Sequence, residues 1–244
     1  MNQSSLGLSN TVKRTRNREF LDAMELVVPW AELVSLIEHY APESGRRGQQ
    51  PFAVQTLLRI HFMQQWFKLS DPATEEALHD VLAFRDFAGL SHWDEQIPSE
   101  SSILRFRYLL ERHKLADQIL ATVNALLQAK GLQLKGYQGV DKRPDAKPTA
   151  RWHVALRPGL RRALDKDTPL EALIDPLERT KASIRAKVEH PFRVLKQQSG
   201  YVKVRYSGLK KNTAQIVTLF ALGNLWMARH KLMAEMGQVR VQGA

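Results

Sequence analysis

Three charged residues on one helical stretch are the best candidates for chemistry. At about 100° per residue, Arg185, Glu189 and Lys196 fall within roughly 40° of one another, beside an apolar face of Ile184, Val188 and Leu195. A carboxylate flanked by two cations suits a divalent metal ion next to phosphate. The carboxylate oxygens hold the metal, and the cations neutralise the phosphate oxygens. The same spacing equally describes a surface ion pair from Arg185 to Glu189, worth about 0.3–0.5 kcal/mol. Taken alone, the residues leave both readings open. Pro191 removes a helical hydrogen bond and restrains His190, so a kink is expected just after Glu189.

Several other chemistries have no residues to carry them. The 244 residues include no Cys, which removes disulfides, thiolate metal sites and cysteine nucleophiles together. The 8 His show no His-x-x-x-His pair, and no Gly-x-Gly-x-x-Gly or Walker-type loop occurs, so neither zinc nor a nucleotide cofactor is expected. The first twenty residues are basic without an apolar run behind them, which predicts no secretory signal. The longest uncharged run, Asn212 to Ala228, falls short of the roughly 20 apolar residues of a membrane span. A cytoplasmic chain with no membrane partner is expected.

Charge supplies a second clue. Residues 1–130 carry 14 Lys or Arg against 16 Asp or Glu, whereas residues 131–244 carry 22 against 9, so the net charge of +11 belongs to the C-terminal part. Such a block suits a polyanion, because Lys and Arg on phosphates displace condensed counterions. A solvated surface is the alternative. Arg14, Arg16 and Arg18 form a short basic run that can act as an arm onto DNA or lie solvated.

The elements that must position these residues are mostly helical. Periodicity predicts helices over 18–26, from Pro29 to about Tyr40, over 52–67, from Asp71, over 100–112 behind an N-cap at Ser99, and over 115–129 ending at Gly131. Trp66, Trp93 and Trp226 fit a core better than base stacking. Beyond Gly131 two runs alternate like strands, Ala150–Leu156 and Tyr201–Tyr206. Residues 170–198 read as helix interrupted at Pro176 and Pro191, and residues 209–236 as a long apolar helix. The expected fold is mainly α: a flexible basic arm over 1–17, a helical domain over 18–130, and a strongly basic segment over 131–244.

The segments PSESSILRFRYLLERHKL (98–115) and QQPFAVQTLLRIHFMQQWFKLSDPATEEALHDVLAFRDFAGL (49–90) resemble the N-terminal helical domain of bacterial insertion-sequence transposases of the insertion-sequence-five branch. The stretch from Lys181 to Arg229 and the segment GYQGVDKRPDAK (136–147) with RWHVALRPG (151–159) are similar to the end of the same family's DDE catalytic domain. In that family an Arg, Glu and Lys at the spacing of Arg185, Glu189 and Lys196 mark the last catalytic carboxylate. The resemblance implies an RNase H-like domain in which two Asp and one Glu bind two Mg²⁺ or Mn²⁺ ions for DNA cleavage and strand transfer. It also implies Glu189 as the surviving catalytic and metal-binding carboxylate. Arg185, Arg193, Lys196, Lys203 and Arg205 become candidate DNA contacts. Arg105 and Arg107, expected to project from the 100–112 helix, join them.

Departures from the family pattern point to an internal deletion. Leu134 stands where the family has an Asp two residues before Gly136 and Tyr137, the first strand is missing, and Ala182 replaces a frequent Tyr. Asp141 and Asp145 lie near the junction and make weak substitutes without a rigid scaffold. Two strand-like runs cannot form the central sheet of an α/β domain, which takes about four to six strands. The expectation is therefore a helical domain followed by an incomplete RNase H-like remnant. It would bind double-stranded DNA, at element ends or target, in the nucleoid. It would act alone, as a homo-oligomer or paired with intact transposase, and would either regulate transposition or persist as an inert remnant.

Overall fold

The computed structural model describes residues 15–42, 50–90, 96–132, 156–165 and 167–242. Ten helices occur among them: α1 (Arg16–Val27), α2 (Trp30–Glu38), α3 (Val54–Phe67), α4 (Asp71–Asp80), α5 (Leu82–Ala88), α6 (Glu100–Arg112), α7 (Leu115–Ala129), α8 (Pro158–Arg162), α9 (Pro169–Gln197) and α10 (Leu209–Gln242). No strand occurs among the described residues. The mainly α expectation is met.

Local chemistry sets the helix ends. Thr15 and Ser70 cap α1 and α4 by accepting the backbone N–H of Arg18 and Ala73. Ser99 occupies the N-cap position of α6, but its hydroxyl meets those of Ser101 and Ser102, and the Glu75 carboxylate takes the Glu100 N–H instead, at 2.7 Å. At the end of α7, Gly131 adopts φ 64°, and the N–H groups of Gly131 and Leu132 return to the carbonyls of Gln128 and Leu127. That is a Schellman stop, which needs a left-handed residue at Gly131.

One hydrophobic core holds the helices together. Trp66 packs edge-on against Phe62, Phe87 and Phe20, with Trp30 beside Phe62 and Phe87, so Trp66 is a core residue. The buried positions of α7, Leu115, Ile119, Val123 and Leu127, recur every four residues and form one stripe. Against this stripe lies α10, which contributes Ala221, Leu222, Leu225 and Leu232 to the same core and also packs on α1. Polar ties reinforce the seam: Asn224 Nδ2 donates to Asn124 Oδ1 at 3.0 Å, Gln215 Nε2 to Gln65 Oε1 at 3.3 Å, and Lys130 pairs with Glu235 at 2.7 Å. The core thus continues across the Gly131 turn into the C-terminal part.

Two expectations need correction. Residues 169–197 form a single helix that runs through Pro176 and Pro191. The carbonyls these prolines leave unbonded belong to Ala172 and Lys187, both exposed, where water can satisfy them. Residues 201–206 do not form a strand: no strand lies beside them among the described residues, and Val202 and Val204 face solvent at 75% and 63% exposure. The Ala150–Leu156 run lies outside the described residues apart from Leu156, as does Trp93.

Candidate nucleic-acid interface

The long helix α9 carries the charged stripe, and its C-terminal end seats it on the core. Val194 and Leu195 are buried there over α10, where Gly223 offers no side chain, and Phe192 meets Phe220 edge-on at 5.4 Å. Upstream, Arg185 Nε donates to Glu189 Oε1 at 2.8 Å, with side-chain exposures of 72% and 61%. Lys196 is exposed, and Arg193 Nε donates to Gln197 Oε1 at 3.1 Å. The structure therefore gathers Arg185, Glu189 and Lys196 on one solvent-facing side, and pairs the first two.

Glu189 brings only one carboxylate to its surroundings, and one oxygen of it is committed to Arg185. Among the described residues no three His, Asp or Glu side chains gather where they could hold a metal ion. Among the described residues, the donor set around Glu189 does not fit a two-metal site. Asp141 and Asp145 lie outside the described residues.

The other candidate cations divide into free and engaged groups. Arg105 is exposed on α6, and Lys203 is exposed on the loop between α9 and α10. Arg107 does not project. Its guanidinium pairs with Asp71 at 2.9 Å and approaches Glu111 at 3.9 Å, with only 11% of the side chain exposed, and it lies 4.3 Å over the Tyr206 ring. Arg205 likewise turns inward, donating to the Leu69 carbonyl at 2.8 Å. Helical periodicity already sets Arg107 nearer the buried Ile103, Phe106 and Leu110 face than Arg105, at about 70° against about 130° from its centre, but not its partners, which come from α4 and from the loop before α10. Arg18 is paired with Asp86 at 3.0 Å, and Arg14 lies outside the described residues.

Behind Arg107 lies His61, buried on α3. Burial first, then the positive charges of Arg107 and Arg205, push its pKa down to about 3, so the ring is neutral near pH 7. Burial raises the Glu25 pKa against the opposing pull of Arg59. On α9, the Leu156 N–H and then the Lys181 ammonium hold the Glu178 carboxyl below its usual range.

One cluster escaped sequence reasoning. The start of α10 and the end of α6 border a cleft of about 550 Å³ lined by Tyr108, Glu111, Arg112, Ser207, Lys210 and Lys211. Lys211 sits 5.2 Å over the Tyr108 ring, and Arg112 and Lys210 are exposed. Two lysines with no acid in the first turn of a helix oppose the helix dipole, which favours anions there. That placement was the available signal.

Comparison with known families finds two matches. Residues 9–109 match a family described as Transposase domain (DUF772), and residues 123–225 match one described as Transposase DDE domain. No solved structure matches the chain. No described helix is long and apolar enough to cross a membrane.

Proposed function

Because the chain belongs to the insertion-sequence transposases of the DDE superfamily, we propose that it is a DNA-binding member without cleavage or strand transfer of its own. The family uses divalent metal ions for its chemistry. The observation that carries the loss is the state of α9. Leu170, Leu173 and Leu177 stand 68%, 75% and 54% exposed on the helix that bears Glu189, while α10 is spent on the helical core. An α/β catalytic domain covers such leucines with a sheet. Their exposure supports an internal deletion between α7 and α8, in a chain of insertion-sequence-five ancestry. Three parts follow from this reading: an arm that ends where α1 begins at Arg16, short of the expected 17, a helical domain from there to 130 and a catalytic-domain remnant over 131–244.

DNA binding rests on the basic C-terminal part. Arg185, Arg193, Lys196 and Lys203, with Arg105 on α6 and the Arg112, Lys210 and Lys211 cleft, are the phosphate contacts, whereas Arg107 and Arg205 hold the fold. Such contacts fix position on the duplex without reading sequence. The protein occupies element ends or target DNA in the nucleoid and competes there with intact transposase.

A nicking assay on supercoiled plasmid carrying the element ends tests the loss of catalysis. No cleavage is expected with Mg²⁺ or Mn²⁺. Metal-dependent nicking that vanishes in Glu189→Ala would overturn it and return Asp141 or Asp145 as ligands. The Glu189→Gln variant, which frees Arg185, should bind duplex DNA more tightly by about twofold at low salt, on the scale of one exposed ion pair.

A further inference from the structure

One buried side chain fastens the loop that borders the cleft between α6 and α10. Asn212, 7% exposed, makes three hydrogen bonds to the backbone of residues 206–208. Its Oδ1 accepts the Tyr206 N–H at 3.1 Å, and its Nδ2 donates to the Tyr206 carbonyl at 2.6 Å and to the Gly208 carbonyl at 2.7 Å. The partners fix the orientation of the amide, since an N–H must meet its oxygen and two carbonyls its nitrogen. An ionised Asp at this position could donate neither bond, and a Ser or Thr only one.

The backbone alone holds this turn weakly. The Asn212 N–H reaches the Gly208 carbonyl only at 3.5 Å, so the side-chain bond at 2.7 Å is what ties the first turn of α10 to the loop. On its other side the loop is pinned to the helical domain. Arg205 donates to the Leu69 carbonyl at 2.8 Å, and the Arg107 guanidinium lies 4.3 Å over the Tyr206 ring. Lys210 and Lys211, just before Asn212, form one wall of the cleft, and Tyr108 and Arg112 of α6 form the other. The one acid of the lining, Glu111, lies 3.9 Å from Arg107. Lys210, Lys211 and Arg112 carry like charge, so the backbone has to impose their convergence.

We propose that Asn212 is the positioning residue of this cleft. By tying Tyr206 and Gly208 to the first turn of α10, it presents Lys210 and Lys211 to the same stretch of DNA backbone that Arg112 meets. Asn212 is buried and acts only through those cations. The proposal rests on the reading of the cleft as a DNA contact, and its test separates the two.

Fluorescence anisotropy of the full-length protein on duplex DNA, across a salt series, reads the number of phosphates engaged. Asn212→Ala removes all three side-chain bonds and should flatten the slope of log K against log salt by about 1–2, the share of two lysines at about 0.9 each. A lower thermal midpoint would follow from losing any buried hydrogen-bonding side chain, whereas a changed salt slope well below that midpoint would not. Added to Lys210→Ala with Lys211→Ala, Asn212→Ala should change the slope no further, because the contacts it positions are already gone. Asn212→Ser keeps a hydroxyl that can reach the Gly208 carbonyl, as Thr218 reaches that of Ala214 at 3.0 Å, and should recover part of the slope. The Ser variant also carries the comparison if circular dichroism shows Asn212→Ala to be unfolded. A wild-type slope for Asn212→Ala beside a flattened one for the lysine pair would overturn the positioning and leave the cleft standing. A wild-type slope for the lysine pair would overturn the cleft, and the positioning with it. Equal flattening by Asn212→Ala with and without the two lysines would also overturn the positioning, by assigning Asn212 to the fold as a whole.

Discussion

Replacing Arg107 by Ala separates a fold-holding arginine from a DNA contact. The guanidinium bridges Asp71 at 2.9 Å and Glu111 at 3.9 Å, and those two side chains are only 17% and 12% exposed. Breaking a buried pair by removing one partner costs about 3–5 kcal/mol, because the other charge remains buried without compensation. Asp71 keeps a hydrogen bond from Gln64 Nε2 at 2.9 Å, and residual solvent reaches both acids, so about 2–3 kcal/mol is the better figure here. In a chain of this size that lowers Tm by about 4–12 °C. Thermal and urea unfolding followed by circular dichroism measure it. Duplex DNA affinity, measured well below the new midpoint, should keep its salt slope within error. Pairing Arg107→Met with Asp71→Asn should restore part of the loss, since Asp71, the nearer partner, is then no longer charged and alone, while Glu111 remains so. A variant of unchanged stability whose salt slope falls by about 0.9 would refute the reasoning and make Arg107 a phosphate contact.

Other outcomes follow from the same geometry. His61 has a folded pKa of about 3 against 6.5 unfolded, so the unfolded chain binds the extra proton between those values. Stability is therefore lost as pH falls below about 6.5, by up to about 2 kcal/mol between pH 7 and 5, and urea midpoints of wild type against His61→Gln measure it. A Cβ added at Gly223 meets Leu195 Cδ1 at 3.2 Å, so Gly223→Leu should lever α9 off α10, raising amide exchange in α9 while α1 to α7 stay protected. Changing Lys210 and Lys211 together to Ala should flatten the salt slope of DNA binding by up to about 2, equally for all sequences, as read by fluorescence anisotropy across a salt series. An unchanged slope would remove the α6 and α10 cleft from the interface.

Sequence reading went furthest where local chemistry decides. The 115–129 helix and its Gly131 stop were both legible, because each depends on neighbours in the chain. The Arg185 to Glu189 contact was legible for the same reason, being one helical turn long. Contacts made at a distance were not. Arg107 reads as a surface cation until Asp71 and Tyr206 are brought to it, and the 201–206 alternation reads as a strand until no strand is found beside it among the described residues. Pro176 and Pro191 suggested breaks, yet a helix running along the surface tolerates them through solvent. The α5 helix, only seven residues long, falls below what periodicity can resolve.

The seam between α7 and α10 also sets an order in time. About 80 residues separate Ala129 from Leu209, so at 5–20 residues per second the ribosome delivers α10 roughly 4–16 s after α7. Through that interval Ile119, Val123 and Leu127 lack their α10 cover and have only the earlier helices α2 and α6 beside α7, so the nascent chain exposes apolar surface of the kind that holding chaperones bind. Shortening the stretch between the two helices shortens the wait. A chain that has lost sequence from its middle therefore completes its helical core sooner than one that has kept it, while a chain cut short before Leu209 never completes it at all.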